Sequence, residues 1–214
     1  MPARVAGVLL AAGDGSRLGQ PKALVRLAGQ TLAARGADLL RAGGADLVIV
    51  VTGAVAVDLP AVQVVQNPRW RDGMGSSFAA GLAAIPGDCA AAVVALADQP
   101  LVGAESVRRL IAAFAEGAGV AVAAYHGQPR NPVLLTRPHW AEATELAVGD
   151  VGARPFLRAH PELITLVECG DTGRPDDIDT PDDLDRIGRA LDQAAARADR
   201  PAGPTDAPRA GRAR

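Results

Sequence analysis

Among the 22 basic residues of this 214-residue chain, Lys22 is the only lysine, and the rest are arginine. Arginine presents a wide planar fork, whereas an ammonium is a compact charge on a flexible stem that can follow an anion as its shape changes. Lys22 closes the segment Leu10-Ala11-Ala12-Gly13-Asp14-Gly15-Ser16-Arg17-Leu18-Gly19-Gln20-Pro21-Lys22. A strand-like run ends there in glycines, and such a turn can expose successive backbone N–H groups as a concave anion site, which larger side chains would block. Two familiar nucleotide loops do not fit. A dinucleotide G-x-G-x-x-G needs glycine where Leu18 stands, and a P-loop needs Gly-Lys-Ser/Thr where Pro21-Lys22-Ala23 stands.

A phosphate site served by Mg²⁺ needs oxygen ligands at about 2.0–2.1 Å, usually one or two carboxylates plus the ligand's own oxygens. Asp98 and Asp179 are the candidates. Asp98 follows the apolar run Ala91 to Ala97, at the carboxyl end of a core strand, where open α/β sheets keep their ligands. Asp179 precedes Thr180-Pro181, a helix start. A turn-forming role for Asp98 and a helix-start charge for Asp179 are the structural alternatives. Asp182, Asp183 and Asp185 read as helix-dipole and solvated-face residues. A third string, Asn67 to Ser77, opens a helical pattern, so Gly75, Ser76 and Ser77 could cap that helix or meet a base edge. His126, His139 and His160 lack metal spacing and read as surface or loop residues. Trp70 and Trp140 could stack on a planar ligand or pack in the core, and Cys89 and Cys169 read as reduced thiols.

Short apolar runs that position these groups lie at Arg4 to Ala12, Leu47 to Thr52, Val62 to Val65, Ala91 to Ala97, Val120 to Ala124 and Pro132 to Thr136. Helical stripes lie between them, through Leu32, Gly36, Leu39, Leu40 and Gly43, and through Val107, Leu110, Ile111 and Phe114. Strands alternating with helices predict a mostly parallel sheet covered on both faces. Thr180, Pro181 and Asp183 predict a capped last helix with Leu184, Ile187 and Leu191 as its stripe. Residues 192–214 hold no large apolar side chain and read as the end of that helix and a disordered tail, leaving a single domain over 1–191. A net charge of −2 gives no field for a nucleic-acid backbone or an acidic membrane. No apolar run approaches the ~20 residues of a membrane span and no signal-like segment opens the chain, so a cytoplasmic setting is expected.

The loop resembles the signature L-A-x-G-x-G/S-x-R-[ML]-G-x-x-K of the nucleotidyltransferases that load sugar phosphates, methylerythritol phosphate and the molybdenum cofactor. Leu96-Ala97-Asp98-Gln99-Pro100 and Asp177-Ile178-Asp179-Thr180-Pro181 are similar to that family's two metal-binding strings, with Ala97 where glycine is usual. Asn67-Pro68-Arg69-Trp70-Arg71-Asp72-Gly73-Met74-Gly75-Ser76-Ser77 resembles the version in the molybdenum cofactor cytidylyltransferases, within the MobA-like NTP transferases. The resemblance implies a three-layer α/β/α fold of the nucleotide-diphospho-sugar transferase (GT-A-like) type. It also implies that Ala11, Ala12, Gly13, Gly15, Ser16, Gly75, Ser76 and Ser77 wrap an NTP, with Arg17 and Lys22 on its phosphates. Mg²⁺ would then sit on Asp98 and Asp179, and Arg130, Asn131, Asp150 and Arg154 would line the acceptor side. Ala12, where related guanylyltransferases usually show glycine, leans the base towards cytosine. The expected substrates are CTP and a molybdopterin-type acceptor, with a molybdoenzyme or its chaperone as a further partner. The rivals are a guanylyl- or sugar-phosphate nucleotidyltransferase and, from another class, a cofactor-handling chaperone or a nucleotide-binding oxidoreductase.

Overall fold

The computed structural model describes residues 3–198. Nine strands appear in chain order: β1 (Arg4–Leu10), β2 (Arg26–Leu27), β3 (Gln30–Thr31), β4 (Leu47–Thr52), β5 (Gln63–Gln66), β6 (Cys89–Leu96), β7 (Val120–Tyr125), β8 (Gln128–Thr136) and β9 (Ile164–Glu168). Six helices accompany them: α1 (Leu32–Ala42), α2 (Met74–Ala83), α3 (Ala104–Ala115), α4 (Trp140–Leu146), α5 (Arg154–Ala159) and α6 (Pro181–Ala198). Seven strands form one sheet in the order β5-β4-β1-β6-β8-β7-β9, and β2 and β3 make a small separate hairpin. β8 runs antiparallel to both its neighbours, and every other pairing in the large sheet is parallel.

Period-two alternation explains why this sheet is covered twice. Val5 and Leu9 of β1 pack on one face with α1, α3 and Ile187 of α6, whereas Ala6, Val8 and Leu10 pack on the other with Phe78, Trp140 and Phe156 of α2, α4 and α5. Both faces are dry, so β1, β4 and β6 read as unbroken apolar runs. Each fully buried Leu or Ile contributes roughly 1.5–3 kcal/mol. Close helix approach on both sides is set by glycine. A Cβ at Gly36 would meet the Leu9 side chain at 2.5 Å, and one at Gly81 would meet Val8 at 2.5 Å.

The predicted start of α6 is present in full. Thr180 Oγ1 accepts from the Asp183 N–H at 3.2 Å, and Asp183 Oδ2 accepts from the Thr180 N–H at 3.1 Å. Hydrogen bonds from Thr180, then from Arg186, pull the Asp183 carboxyl down to about 2. The predicted strands Arg4 to Ala12 and Val62 to Val65 end at Leu10 and shift to Gln63–Gln66, while β8 begins at Gln128, ahead of the predicted Pro132. The proposed tail beyond residue 198 lies outside the described residues. Among the described residues, no helix is long and apolar enough to cross a membrane.

The sheet order reverses about β1, since β4 lies on one side of it and β6 on the other. Their carboxyl ends therefore open at a topological switch point, where the loop after β1 and the segment after β6 face a common crevice.

Candidate active site

Gly15 holds a φ of 61°, in the left-handed region that suits glycine. A Cβ there would lie 2.0 Å from the Gln20 carbonyl oxygen, so the loop folds back on itself at this point. The Leu18 N–H donates to Gly15 O at 2.8 Å, and the Lys22 N–H donates to Gly13 O at 3.3 Å. Buried Ala23 then anchors the turn to the core. Gly15→Ala is expected to cost about 1–3 kcal/mol, from the strained backbone plus the clash with Gln20. A urea midpoint equal to that of the parent protein would show that the loop does not need this conformation.

The loop delivers the Lys22 ammonium to two carboxylates at once. Its Nζ lies 2.7 Å from Asp98 Oδ2 and 2.6 Å from Asp179 Oδ1. Asp98 stands just past the end of β6, and its carbonyl oxygen accepts from the Ile178 N–H at 2.8 Å. Ile178 is fully buried, which pins the segment carrying Asp179 across the end of the sheet. A second bridge runs from Gln99 Nε2 to Asp177 Oδ1 at 2.9 Å. Burial acts first to raise the Asp177 carboxyl, the Gln99 hydrogen bond opposes it, and the charges of Asp98 and Asp179 add to the rise. For Lys22, burial works to lower the ammonium, but the combined attraction of Asp98 and Asp179 outweighs it and raises it.

Two carboxylates thus share one ammonium, and Asp177, held by Gln99, adds a further acidic group to the same cleft. Among the described residues there is no group of three or more His, Cys, Asp or Glu that could hold a metal unaided. Two carboxylates completed by phosphate oxygens are the donor set that Mg²⁺ takes, so Asp98 and Asp179 fit that ion rather than an all-protein cage.

A cleft of about 1020 Å³ opens over this group. Gly13, Gly15, Ser16 and Arg17 line it together with Lys22, Asp98 and Asp179. Arg130 and Asn131 of β8, Asp150 of the loop before α5, and Arg154 of α5 line it as well. An adjoining lobe of about 490 Å³ is bounded by Ala11, Ala12, Trp70 and Ser77. The structure therefore brings the loop, the aspartates and the four acceptor-side candidates into one space.

Gly75 and Ser76 do not line either lobe. The Gly75 N–H donates to Gly149 O at 2.9 Å, and a Cβ there would lie 1.9 Å from the Ala147 carbonyl oxygen. The Ser76 hydroxyl lies 2.8 Å from Arg69 O and 2.9 Å from Gly73 O and accepts from Asn67 Nδ2, tying the preceding turn to α2. Trp70 carries the Arg71 guanidinium 4.4 Å above its ring, whereas Trp140 is a core residue whose indole N–H donates to Leu135 O at 2.9 Å. No histidine lines either lobe, and His160 pairs with Glu142 instead. Both cysteines are buried free thiols.

Sequence reasoning passed over Asp14, Gln99, Arg158 and Asp177, all of which line the larger cleft. Gln99 and Asp177 stand inside the strings that carry the two aspartates. Arg158 follows Arg154 by one helical turn, a relation visible only once α5 is known.

A mostly parallel sheet with its crevice at the β1/β6 switch point, a glycine turn and a lysine between two aspartates define a nucleotide-handling α/β protein. The chain belongs to the MobA-like NTP transferase family, since residues 7–163 match the MobA-like NTP transferase domain. It is 37% identical to nicotine blue oxidoreductase of Paenarthrobacter nicotinovorans over 86% of this chain and 96% of that protein. Its fold matches the crystal structure of an Rv0371c homologue from Mycobacterium sp. strain JC1, with a TM-score of 0.78, 29% identity and coverage of 91% of this chain and all of that one. A manganese complex of Rv0371c from Mycobacterium tuberculosis matches with a TM-score of 0.71 and 26% identity, over 87% of this chain and 99% of that one.

Proposed function

We propose that the chain is a Mg²⁺-dependent cytidylyltransferase that moves CMP from CTP to the phosphate of a molybdopterin-type acceptor and releases pyrophosphate, within one domain spanning residues 1–191. The observation that carries this reading is the Lys22 ammonium, set between Asp98 and Asp179 beneath the glycine loop. Mg²⁺ held by Asp98 and Asp179 would supply Lewis-acid neutralisation of phosphate charge. Gly13, Gly15 and Ser16 offer the wall against which the triphosphate lies, and Arg17 and Lys22 offset the charge that grows at the α-phosphate. Ala11, Ala12 and Ser77 bound the smaller lobe, which suits the base.

An acceptor phosphate oxygen attacks the α-phosphorus in line as the bond to the bridging oxygen of pyrophosphate breaks. Arg130, Asn131, Asp150 and Arg154 hold and orient that acceptor. A phosphate nucleophile is already ionised near pH 7, so the reaction needs no strong base, in keeping with a cleft that no histidine lines. A molybdoenzyme or its chaperone would receive the product.

The name of the Paenarthrobacter relative, an oxidoreductase, favours one rival, a nucleotide-binding oxidoreductase, for which a nicotinamide dinucleotide is the ligand to test. Leu18 stands against it, because it occupies the position of the last glycine in a dinucleotide fingerprint. Pyrophosphate release should be measured with CTP, GTP, UTP and ATP, each with the molybdenum cofactor, alongside an NADH fluorescence titration. CTP is expected to turn over at least tenfold faster than GTP. Equal rates would remove the cytosine assignment, and NADH binding without pyrophosphate from any NTP would replace the transferase reading altogether.

A further inference from the structure

We propose that in the ligand-free protein Lys22 stands in for the divalent cation, holding Asp98 and Asp179 together and keeping the ion out until a triphosphate draws the ammonium away. This inference rests on the nucleotidyltransferase reading. It adds an exchange of cations that the reading does not require.

The geometry makes the two cations competitors. One nitrogen lies within hydrogen-bond distance of an oxygen on each aspartate, at 2.7 and 2.6 Å. A divalent ion bound by the same carboxylates at about 2.0–2.1 Å would sit against that ammonium. Like charges at such a distance repel, and a site only partly open to water screens them poorly. While it remains between the aspartates, the ammonium has only one of its three N–H groups left for a phosphate.

The root of Lys22 is fixed by the backbone, while its head is held, among the described residues, by the two carboxylates alone. The backbone is tied to Gly13 O and the next residue is buried, whereas the four-carbon stem runs along a cleft that the glycine loop also lines. Without a stand-in, Asp98 and Asp179 would be left as a pair of unneutralised like charges. A triphosphate resolves the conflict, because it brings oxygens for the ion and a new partner for the lysine. Metal and nucleotide should therefore bind with strong positive coupling, and that coupling must be reciprocal.

The test is Mn²⁺ binding to the full chain, followed by electron paramagnetic resonance without nucleotide. Lys22→Met is expected to bind Mn²⁺ at least tenfold more tightly than the parent protein. Adding α,β-methylene-CTP should tighten Mn²⁺ binding at least tenfold in the parent, and by a smaller factor in the variant. Equal or weaker Mn²⁺ binding by the variant without nucleotide would overturn the stand-in role alone. Mn²⁺ that bound neither protein, even with the analogue, would overturn the metal reading as well.

A second measurement avoids mutation. Lys22 is the only lysine, so [ε-¹³C]lysine labelling yields one side-chain resonance from the intact protein. That resonance should move when Mg²⁺ and α,β-methylene-CTP bind together. A signal that kept its ligand-free position in the ternary complex would refute the exchange.

Discussion

Asp98→Asn is expected to lower pyrophosphate release from CTP by about 10²- to 10³-fold while leaving the protein folded. The amide keeps the shape of the side chain and removes its charge. Lys22 then has one ionic partner, and a divalent ion loses one of its two carboxylates. Deleting a single preorganised group aimed at transition-state charge typically costs about 2.7–4 kcal/mol, which corresponds to that range of rates. The fold is spared because it uses the backbone of Asp98, whose carbonyl holds the Ile178 N–H at 2.8 Å. Steady-state kinetics with saturating Mg²⁺ would check the rate, and a urea midpoint would check the fold. Turnover within twofold of the parent would take Asp98 out of the reaction, and a midpoint that collapsed would make it a structural residue.

Most of what could be read from the letters of this molecule is buried on both sides or capped locally, although β5, an exposed edge strand, is also legible to within one residue. β1, β4, β6 and β7 announce themselves as apolar runs because no face of them meets water. The start of α6 is equally plain, since its capping box is a contact between residues three apart. β9 escaped because it is a half-exposed edge strand, with Leu166 open to solvent and β7 as its one partner. α4 and α5 are too short to show a stripe, and the strands of the β2–β3 hairpin have two residues each. The reversed direction of β8 depends on pairing, which no local pattern reports.

The site divides in the same way. The glycine loop, Asp98 and Asp179 could be picked out because each sits at a recognisable junction between elements. The bridge from Gln99 to Asp177 joins residues 78 apart, so nothing near either one predicts it. Ser76 shows the converse. Its hydroxyl reads as available for a base or a cap, and the folded chain engages it with the Arg69 and Gly73 carbonyls.

Lys22→Arg, which conserves charge, should nonetheless lower kcat by at least about 10²-fold, close to 2.7 kcal/mol in the barrier. One nitrogen now serves two carboxylates, at 2.7 and 2.6 Å. A guanidinium favours a bidentate pair with a single carboxylate, so it would clamp one aspartate and release the other. Its planar head is also wider, and the lysine stem already passes within ordinary contact distance of Gly13, where a Cβ would lie 3.9 Å from Cδ. Retained charge should keep the ground-state attraction for CTP, so its KM should change by less than about threefold while kcat falls. That split marks an interaction made chiefly in the transition state. Lys22→Met should depart from this pattern by raising KM too, since it removes the charge entirely. The arginine variant, still cationic, should also lack the tighter Mn²⁺ binding expected of the methionine variant. A near-normal kcat for Lys22→Arg would mean that any cation suffices at this position, and the survival of one lysine among so many arginines would then carry no chemical meaning.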